Sequence, residues 1–271
     1  MSRKPKSVYG SADRVRGVVA DRQPQRVALV IHPARSITAP LEILERWAAE
    51  HGLDVVQIPA LGGSDREVAP RGELEPGDLV VALGGDGTVL SALRAAAPHD
   101  APVLGVACGS LGALTAVHAD RLEDALERVL RGDWTARRLP AVAIKPADAA
   151  DEWAVNDFVV VRRGAGQVVV DVSVDDELYV RLAGDGLVVA ASATVRVEVH
   201  PSFAGFDVEI DGHTYPLQAL DYHLSLHTEK VTLVSFGELG LGIPSLRGRG
   251  LIADSPRVLA RDERESGPGH H

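Results

Sequence analysis

The first half of the chain alternates short apolar runs with stretches of helical spacing. Four apolar runs have the length of buried strands and lie at 26–33, 54–59, 78–84 and 103–107. Three stretches that follow the first, third and fourth of these runs have the periodicity of amphipathic helices, at 40–52, 88–97 and 120–132. Strands that alternate with helices are typical of a parallel sheet, so we predict an α/β domain over residues 26–137.

Helix ends are predicted at several positions. The clearest helical pattern places apolar residues at i, i+3, i+4, i+7 and i+8, namely at Leu122, Ala125, Leu126, Val129 and Leu130. Asp120 and Glu123 have the spacing of a capping box at the start of this helix, and Gly132 suits the position after its end. Gly52 is expected to end the helix at 40–52 in the same way.

The periodicity changes from helical to twofold near residue 138. Valines alternate with polar residues over 168–174 and 195–199, and Phe206, Val208 and Ile210 continue the pattern. Period two without intervening helices predicts antiparallel β structure, and we assign a β-rich domain to 138–255. The charged, Gly- and Pro-containing residues 256–271 are expected to form a flexible tail.

Composition restricts the class of protein. Hydrophobic residues make up 45% of the 271 residues but aromatic residues only 4%, so Val, Ala and Leu must fill the core. The net charge of −10 argues against a nucleic-acid partner. The single cysteine, Cys108, excludes an internal disulfide and favours a reducing compartment. No apolar run reaches membrane-spanning length and no signal sequence is recognised, so we expect a cytoplasmic protein with no membrane partner.

Residues 1–25 form a polar arm with six basic side chains, Arg3, Lys4, Lys6, Arg14, Arg16 and Arg22. A solvated arm and an anion-binding arm both fit this composition, the solvated arm better.

The segment LVVALGGDGTVLSAL, residues 79–93, joins a predicted buried strand to a predicted helix through glycines. Gly84, Gly85 and Gly87 would let backbone N–H groups approach a phosphate, and the following helix would add its positive end. Thr88 could donate its hydroxyl to the phosphate or cap the helix. The structural alternative is a tight turn that needs positive φ, with Asp86 as the helix cap.

Asp86 decides between these alternatives. A carboxylate beside a phosphate site would repel the ligand unless the carboxylate had another task. It could accept the proton of an attacking hydroxyl or help to hold Mg²⁺ against phosphates, and both tasks belong to phosphoryl transfer. The sequence therefore favours a phosphate site at this turn over a purely structural turn.

GGDGTVL resembles the signature shared by NAD kinases, by diacylglycerol and sphingosine kinases and, in variant form, by phosphofructokinases. Three further stretches resemble NAD kinases in order and spacing: PVLGVACGSLGALT (102–115), WAVNDFVV (153–160) and AGDGLVVA (183–190). Lipid kinases tend to have a Gly-Thr-x-Asn-Asp string in place of the first of these. The resemblance covers residues 26–255.

The resemblance implies an enzyme that phosphorylates the adenosine ribose 2′-hydroxyl of NAD to give NADP. Asp86 would be the general base, and Gly84, Gly85, Gly87 and Thr88 would line the phosphate site. The NAD-binding residues would be Asn156, Asp157, Asp185 and His213, the last standing where some relatives have glutamine. The resemblance also implies Mg²⁺ or another divalent cation, ATP or polyphosphate as the phosphoryl donor, and a homo-oligomer, either a dimer or a tetramer.

Two of these sites have a structural alternative. Asn156 and Asp157 could form a polar bulge in an otherwise apolar strand, and Asp185 between two glycines could form a hairpin turn. No metal-ligand set is recognised among the histidines, since His223 and His227 lie in β-like sequence. Cys108 is expected to be a buried, inert thiol.

The chain departs from the family after Ala190. A segment that contributes much of the wall around the adenine and ribose is absent there, and Ala183 stands where many relatives have arginine. Either the protein has lost part of its substrate pocket or the printed sequence omits a segment. We expect the second, because no turn residue separates the strand ending at Ala190 from the strand that follows.

Two other functions stay open. A lipid kinase of the diacylglycerol type would share the GGDGT turn. A pyridine-nucleotide-binding protein that has lost turnover would be consistent with the absence of the pocket wall after Ala190.

Overall fold

The structure is a computed structural model that describes residues 23–59, 66–190, 194–200, 205–215 and 219–236. The predicted tail at 256–271 and nearly all of the predicted arm at 1–25 lie outside these residues. The junction between Ala190 and Ala191 also lies outside them, because the description stops at Ala190 and resumes at residue 194.

The described residues form three α-helices and fifteen β-strands. The helices are α1 Thr38–Glu50, α2 Asp86–Ala96 and α3 Leu122–Leu130. The strands are β1 Arg26–Ile31, β2 Asp54–Gln57, β3 Asp78–Gly84, β4 Pro102–Ala107, β5 Val117–His118, β6 Thr135–Pro146, β7 Glu152–Ala154, β8 Asp157–Arg162, β9 Val168–Val174, β10 Glu177–Gly184, β11 Gly186–Ala190, β12 Val195–His200, β13 Phe206–Ile210, β14 His213–Tyr215 and β15 Asp221–Ser235.

The predicted parallel sheet is confirmed. The strands β2, β1, β3 and β4 lie side by side in that order, and every pair among neighbours is parallel. All seven residues of β3 are buried, as its continuous apolar run predicts. From β1 the chain adds β2 on one side and then β3 on the other, so the strand order reverses between β1 and β3. Crevices at such reversal points, outside the carboxyl ends of the strands, are where open α/β sheets bind ligands.

All three predicted helix starts differ from the structure by two residues, and α1 begins at Thr38 rather than at residue 40. Helix α2 begins at Asp86 rather than at Thr88, directly after Gly85. The predicted capping box at Asp120 and Glu123 is wrong, because a 3₁₀ turn at Ala119–Arg121 takes up Asp120 and α3 begins only at Leu122, without a side-chain cap. Both predicted glycine ends are confirmed, since Gly52 and Gly132 have φ of 67° and 71°.

The antiparallel β structure is confirmed for the second half of the described chain. Within the described residues, β8, β11, β13 and β14 form a four-stranded sheet, and the other strands form a sheet of eleven. The two sheets pack face to face through an apolar core that includes Phe158 and Val208 from the smaller sheet and Val170, Val197 and Tyr222 from the larger.

The larger sheet runs through both halves of the chain. Strand β15 pairs antiparallel with β6 along most of its length. On its other side it pairs antiparallel with β12 near its start and parallel with β4 near its end. The domain boundary expected at residue 137 falls inside β6 and stays a prediction.

The connections on either side of β11 cross between the sheets. Strand β10 pairs with β9 in the larger sheet, β11 pairs with β8 in the smaller, and β12 lies again in the larger. The alternative of a hairpin turn at Asp185 is therefore wrong, because β10 and β11 are not neighbours.

Candidate phosphate and nucleotide site

The ends of β1, β3 and β4 form one edge of the parallel sheet. The N–H of His32, just after β1, donates to the carbonyl of Leu83 at 2.9 Å, and the N–H of Cys108, just after β4, donates to the carbonyl of Gly84 at 2.8 Å. The loops that follow the three strands are therefore tied to one another at the point where the strand order reverses.

The glycines of the GGDGT turn differ in what surrounds them. A Cβ on Gly84 would lie 2.6 Å from the Cβ of Thr88, so Gly84 makes room for the buried Thr88 side chain. A Cβ on Gly87 would meet no protein atom within 4 Å. None of Gly84, Gly85 and Gly87 has positive φ, so the alternative of a turn that requires left-handed glycines is wrong.

Asp86 is the first residue of α2 and is half-buried. Its side chain does not cap the helix, which corrects the capping alternative. Instead, Oδ2 accepts the N–H of Ala113 and Oδ1 accepts the N–H of Leu114, each at 2.9 Å. A Cβ on Gly112 would lie 2.7 Å from Oδ2, so the carboxylate rests directly on that glycine. The segment GALT, which resembles the NAD kinase pattern, thus holds the Asp86 carboxylate in place.

Arg35 lies over the same crevice and was not recognised from the sequence. Its Nη1 atom would lie 3.3 Å from a Cβ on Gly85 and 3.2 Å from a Cβ on Gly109. The side chain is exposed, and no ion pair between described residues includes it. A signal was present in the sequence, because a basic residue just after β1 must lie near the point of strand reversal.

The loop that carries Arg35 is held by His32 and Arg66. The Nδ1 atom of His32 accepts the N–H groups of Ala34 and Arg35 at 3.0 Å each. Arg66 donates to the carbonyl of Arg35 at 2.6 Å. Burial, together with the charges of Arg35 and Arg66, lowers the pKa of His32, which keeps the accepting imidazole neutral.

Cys108 borders this crevice and is half-buried rather than fully buried as expected. Burial raises the pKa of its thiol, so the sulfur stays protonated near neutral pH, in keeping with an unreactive side chain.

Asn156 and Asp157 lie where the chain passes from the larger sheet to the smaller. Asn156 is exposed between β7 and β8, and Asp157 is the first residue of β8. The alternative of a bulge within one strand is wrong, because β7 and β8 belong to different sheets. Desolvation and the nearby Asp211 carboxylate raise the pKa of Asp157.

Asp211 is a second residue that sequence reasoning missed. It forms a two-residue turn with Gly212 between β13 and β14, with φ of 51° and 76°, as a hairpin with Ile210 opposite His213 requires. Its carboxylate accepts the N–H of Asn156 at 2.6 Å. His213 follows this turn directly, so the structure brings His213 to the hairpin that holds Asn156 and Asp157. The sequence signal was Asp-Gly between two strands of period two.

Helix α2 runs from the phosphate-site residues to the Asn156–Asp157 turn. Asp86 lies at its start and Arg94, which contacts the Asp211 carboxylate, lies eight residues later, about 12 Å along the helix axis. The phosphate-site residues and the Asn156–Asp157 turn are therefore at opposite ends of one rigid element.

The structure does not bring Asp185 to Asn156 and Asp157. Asp185 precedes Gly186, which pairs with Val161 near the far end of β8, about 14 Å along the strand from Asp157. It is exposed and forms an ion pair with Arg162 Nε at 2.8 Å.

Within the described ranges, no group of three or more His, Cys, Asp or Glu side chains is arranged to hold a metal ion. Of the helices described, none is both long and apolar enough to span a bilayer.

The fold and the site together define an α/β sheet with a GGDGT turn at its point of strand reversal, continued by antiparallel sheets. Residues 27–134 match the sequence profile of the ATP-NAD kinase N-terminal domain. The α/β part of the chain is therefore similar to the N-terminal domain of ATP-NAD kinases.

Curated relatives agree with this match. The NAD kinase of Heliobacterium modesticaldum is 40% identical over 126 residues, which cover 45% of this chain and 44% of that protein. The NAD kinase of Symbiobacterium thermophilum is 33% identical over 175 residues, covering 61% and 62%. The chain spans about half the length of the curated relatives it matches.

Solved structures extend the likeness of fold beyond the matched domain. A crystal structure of yeast NADH kinase complexed with NADH has a TM-score of 0.60 at 16% identity and covers 89% of this chain and 91% of that one. An Archaeoglobus fulgidus NAD kinase in complex with ATP has a TM-score of 0.51 at 19% identity, covering 78% and 93%. At identities this low, the two superpositions show a likeness of fold alone.

Proposed function

We propose that this protein is an NAD kinase, which transfers a phosphoryl group from ATP or polyphosphate to the adenosine ribose 2′-hydroxyl of NAD and releases NADP. The observation that carries the proposal is the Asp86 carboxylate, fixed by two backbone N–H groups at the start of α2 in the crevice where the strand order reverses. The match of residues 27–134 to the ATP-NAD kinase domain supports the same activity.

The donor phosphates would bind at the start of α2. Gly87 leaves open space where a phosphate can approach the backbone, and the N-terminus of the helix favours negative charge. The Arg35 guanidinium lies beside Gly85, where it can pair with a phosphate oxygen. Gly84 and Thr88 would act mainly by shaping this turn.

Asp86 would act as the general base. Its carboxylate takes the proton of the ribose 2′-hydroxyl as that oxygen forms a bond to the terminal phosphorus, and the bond from phosphorus to the ADP oxygen breaks. Each Asp86 oxygen accepts one backbone N–H and keeps a lone pair for this proton. The two backbone bonds orient the base, which is the protein's main contribution besides neutralising charge.

A divalent cation at this site would depend mainly on the substrate for its ligands. The described residues offer Asp86 but no cluster of carboxylates, which suits an Mg²⁺ ion held mainly by the donor's phosphates and water. When bound, the ion would neutralise charge on the transferred phosphoryl group.

NAD would be held by Asn156, Asp157 and His213, whose amide, carboxyl and imidazole groups suit ribose hydroxyls. Asp185 is a further candidate, although it lies apart from the other three. From the family resemblance we also propose a cytoplasmic homo-oligomer, a dimer or a tetramer, that serves NADP biosynthesis.

The purified protein incubated with NAD, ATP and Mg²⁺ should form NADP, measured with an NADP-specific dehydrogenase. Replacing ATP by polyphosphate identifies the donor, and replacing NAD by diacylglycerol tests the lipid-kinase alternative. NAD binding by calorimetry without NADP formation would identify a non-catalytic binder, as loss of the pocket wall after Ala190 allows. Either phosphorylated lipid or binding without turnover would overturn the proposal.

A further inference from the structure

Arg94 and Asp211 form a buried ion pair at the end of α2. The side chains of Arg94 and Asp211 are 3% and 0% exposed, and Arg94 Nε lies 3.6 Å from Asp211 Oδ2. Removing two charges from water is costly, and a buried ion pair often contributes less to stability than apolar residues of the same size would. Such a pair calls for an explanation besides stability.

The Asp211 carboxylate holds the backbone of the Asn156–Asp157 turn. It accepts three consecutive N–H groups, from Val155 at 3.0 Å, from Asn156 at 2.6 Å and from Asp157 at 3.2 Å. In return, the N–H of Asp211 donates to the carbonyl of Asp157 at 3.0 Å. Four hydrogen bonds with a single residue therefore fix the backbone from which the Asn156 and Asp157 side chains project.

Arg94 ties this turn to α2. Its Nε donates to the carbonyl of Trp153 at 2.8 Å and its Nη1 to the carbonyl of Ile210 at 3.4 Å. These carbonyls belong to β7 and β13, the strands that lead into the two turns. The guanidinium also stacks on the Tyr215 ring, 4.6 Å from its centre.

We infer that Asp211 is a positioning residue for NAD, which sets Asn156 and Asp157 at a fixed place relative to α2, and that Arg94 couples it to the helix that begins with Asp86. The inference rests on the proposed function. Asp211 acts through the backbone of its neighbours, since its side chain is fully buried and out of reach of substrate. A shift of about 1 Å in such a turn can lower a rate by about 10²-fold.

The variant Asp211→Asn tests this inference. Asparagine tolerates the positive φ of this position and keeps one acceptor oxygen, but it loses the charge and the second acceptor. We expect KM for NAD to rise about tenfold or more, with KM for ATP changed less than about twofold. Asn156→Ala should show the same NAD-specific change.

The matched control is Asp207→Asn. Asp207 lies on the same strand, β13, but pairs with the partly exposed Arg163 and not with the turn. This control should leave both KM values unchanged. A general loss of folding would instead alter both substrates together and would lower the melting temperature of the protein.

If Asp211→Asn fails to fold, Arg94→Lys takes its place, because lysine keeps the buried positive charge and loses the planar fork that reaches both carbonyls. The same NAD-specific rise in KM is expected. Unchanged NAD kinetics in the folded variant, or equal losses for NAD and ATP, would overturn the inference and leave the proposed function intact. Wild-type protein that forms no NADP would overturn both.

Discussion

Two aspartates, Asp86 and Asp211, use their carboxylates in the same way but in different surroundings. Each accepts consecutive backbone N–H groups from a distant part of the chain. Asp86 is half-buried at the edge of a crevice, whereas the Asp211 side chain is fully buried. The difference in exposure gives the two carboxylates different roles, because only the Asp86 carboxylate is accessible to a substrate.

The variant Asp86→Asn should lower the rate of NADP formation by about 10²-fold, since an amide cannot accept the ribose proton. The amide NH₂ group would also face the N–H of Ala113 or Leu114, so the melting temperature should fall slightly. Steady-state rates and thermal melts measure both effects. Asp133→Asn, which alters an exposed ion pair with Arg128, is the control and should change neither. Near-normal turnover in Asp86→Asn would remove Asp86 from the chemistry.

Arg35→Gln should raise KM for ATP about tenfold, because hydrogen bonds to a charged group contribute about 1.5–3 kcal/mol. The expected loss shrinks as salt is added, since the exposed guanidinium is screened. ATP titrations at low and high salt measure this effect. Arg46→Gln removes an exposed arginine of α1 that pairs with Glu123 and serves as the control. Equal ATP affinities in Arg35→Gln and wild type would show that the Arg35 guanidinium does not contact the phosphates of ATP.

At the scale of elements, the glycines around the turn between β3 and α2 are of two kinds. Some are required by the packing of neighbouring side chains, and one is not. Gly84 lacks a side chain because Thr88 occupies that space, and Gly112 lacks one because the Asp86 carboxylate does. Gly87 has no such neighbour and no unusual φ, so nothing in the protein itself requires glycine there. A requirement for glycine at position 87 must then come from a ligand.

Gly87→Ala should stabilise the protein by about 0.4–1 kcal/mol, because alanine loses less entropy in a helix than glycine does. It should nevertheless weaken ATP binding if phosphates approach the backbone at this point. Gly84→Ala provides the contrast, since its Cβ would press on Thr88 and lower stability. Chemical denaturation gives the stabilities and calorimetry the ATP affinities. A Gly87→Ala protein that is more stable and binds ATP as wild type would place the phosphates elsewhere.

Local patterns predicted most of these elements, and long-range contacts account for what was missed. The all-buried run of β3 and the alternating valines of β9 can be read within a few residues. The places of Arg35 and Asp211 depend on which loops the topology brings together, and no local period encodes that. The capping box at Asp120 failed because a 3₁₀ turn competed for the same residues.

At the scale of the whole molecule, β15 joins the two halves of the sequence. It is the last strand of the described chain, yet its end pairs with β4, and Val231 and Leu233 pack into the same core as α2. The described residues all belong to one compact unit. The change of periodicity near residue 138 therefore marks a change of architecture inside a shared sheet.

We expect a chain ended at residue 137 to be unable to fold, although it contains the whole predicted α/β domain. It would lack Val231 and Leu233, which are 1% and 2% exposed, and the edge of β4 that β15 covers would be left open to aggregation. Arg94 would also lose the Asp211 carboxylate and the carbonyls of Trp153 and Ile210, all of which lie beyond residue 137. A chain ended at Gly237 is the matched control and should fold, because it keeps every contact of the compact unit. In calorimetry that longer chain should unfold in one transition, with equal calorimetric and van't Hoff enthalpies. Two separate transitions, or a monomeric fragment 1–137 with native circular dichroism, would show that the halves are independent domains.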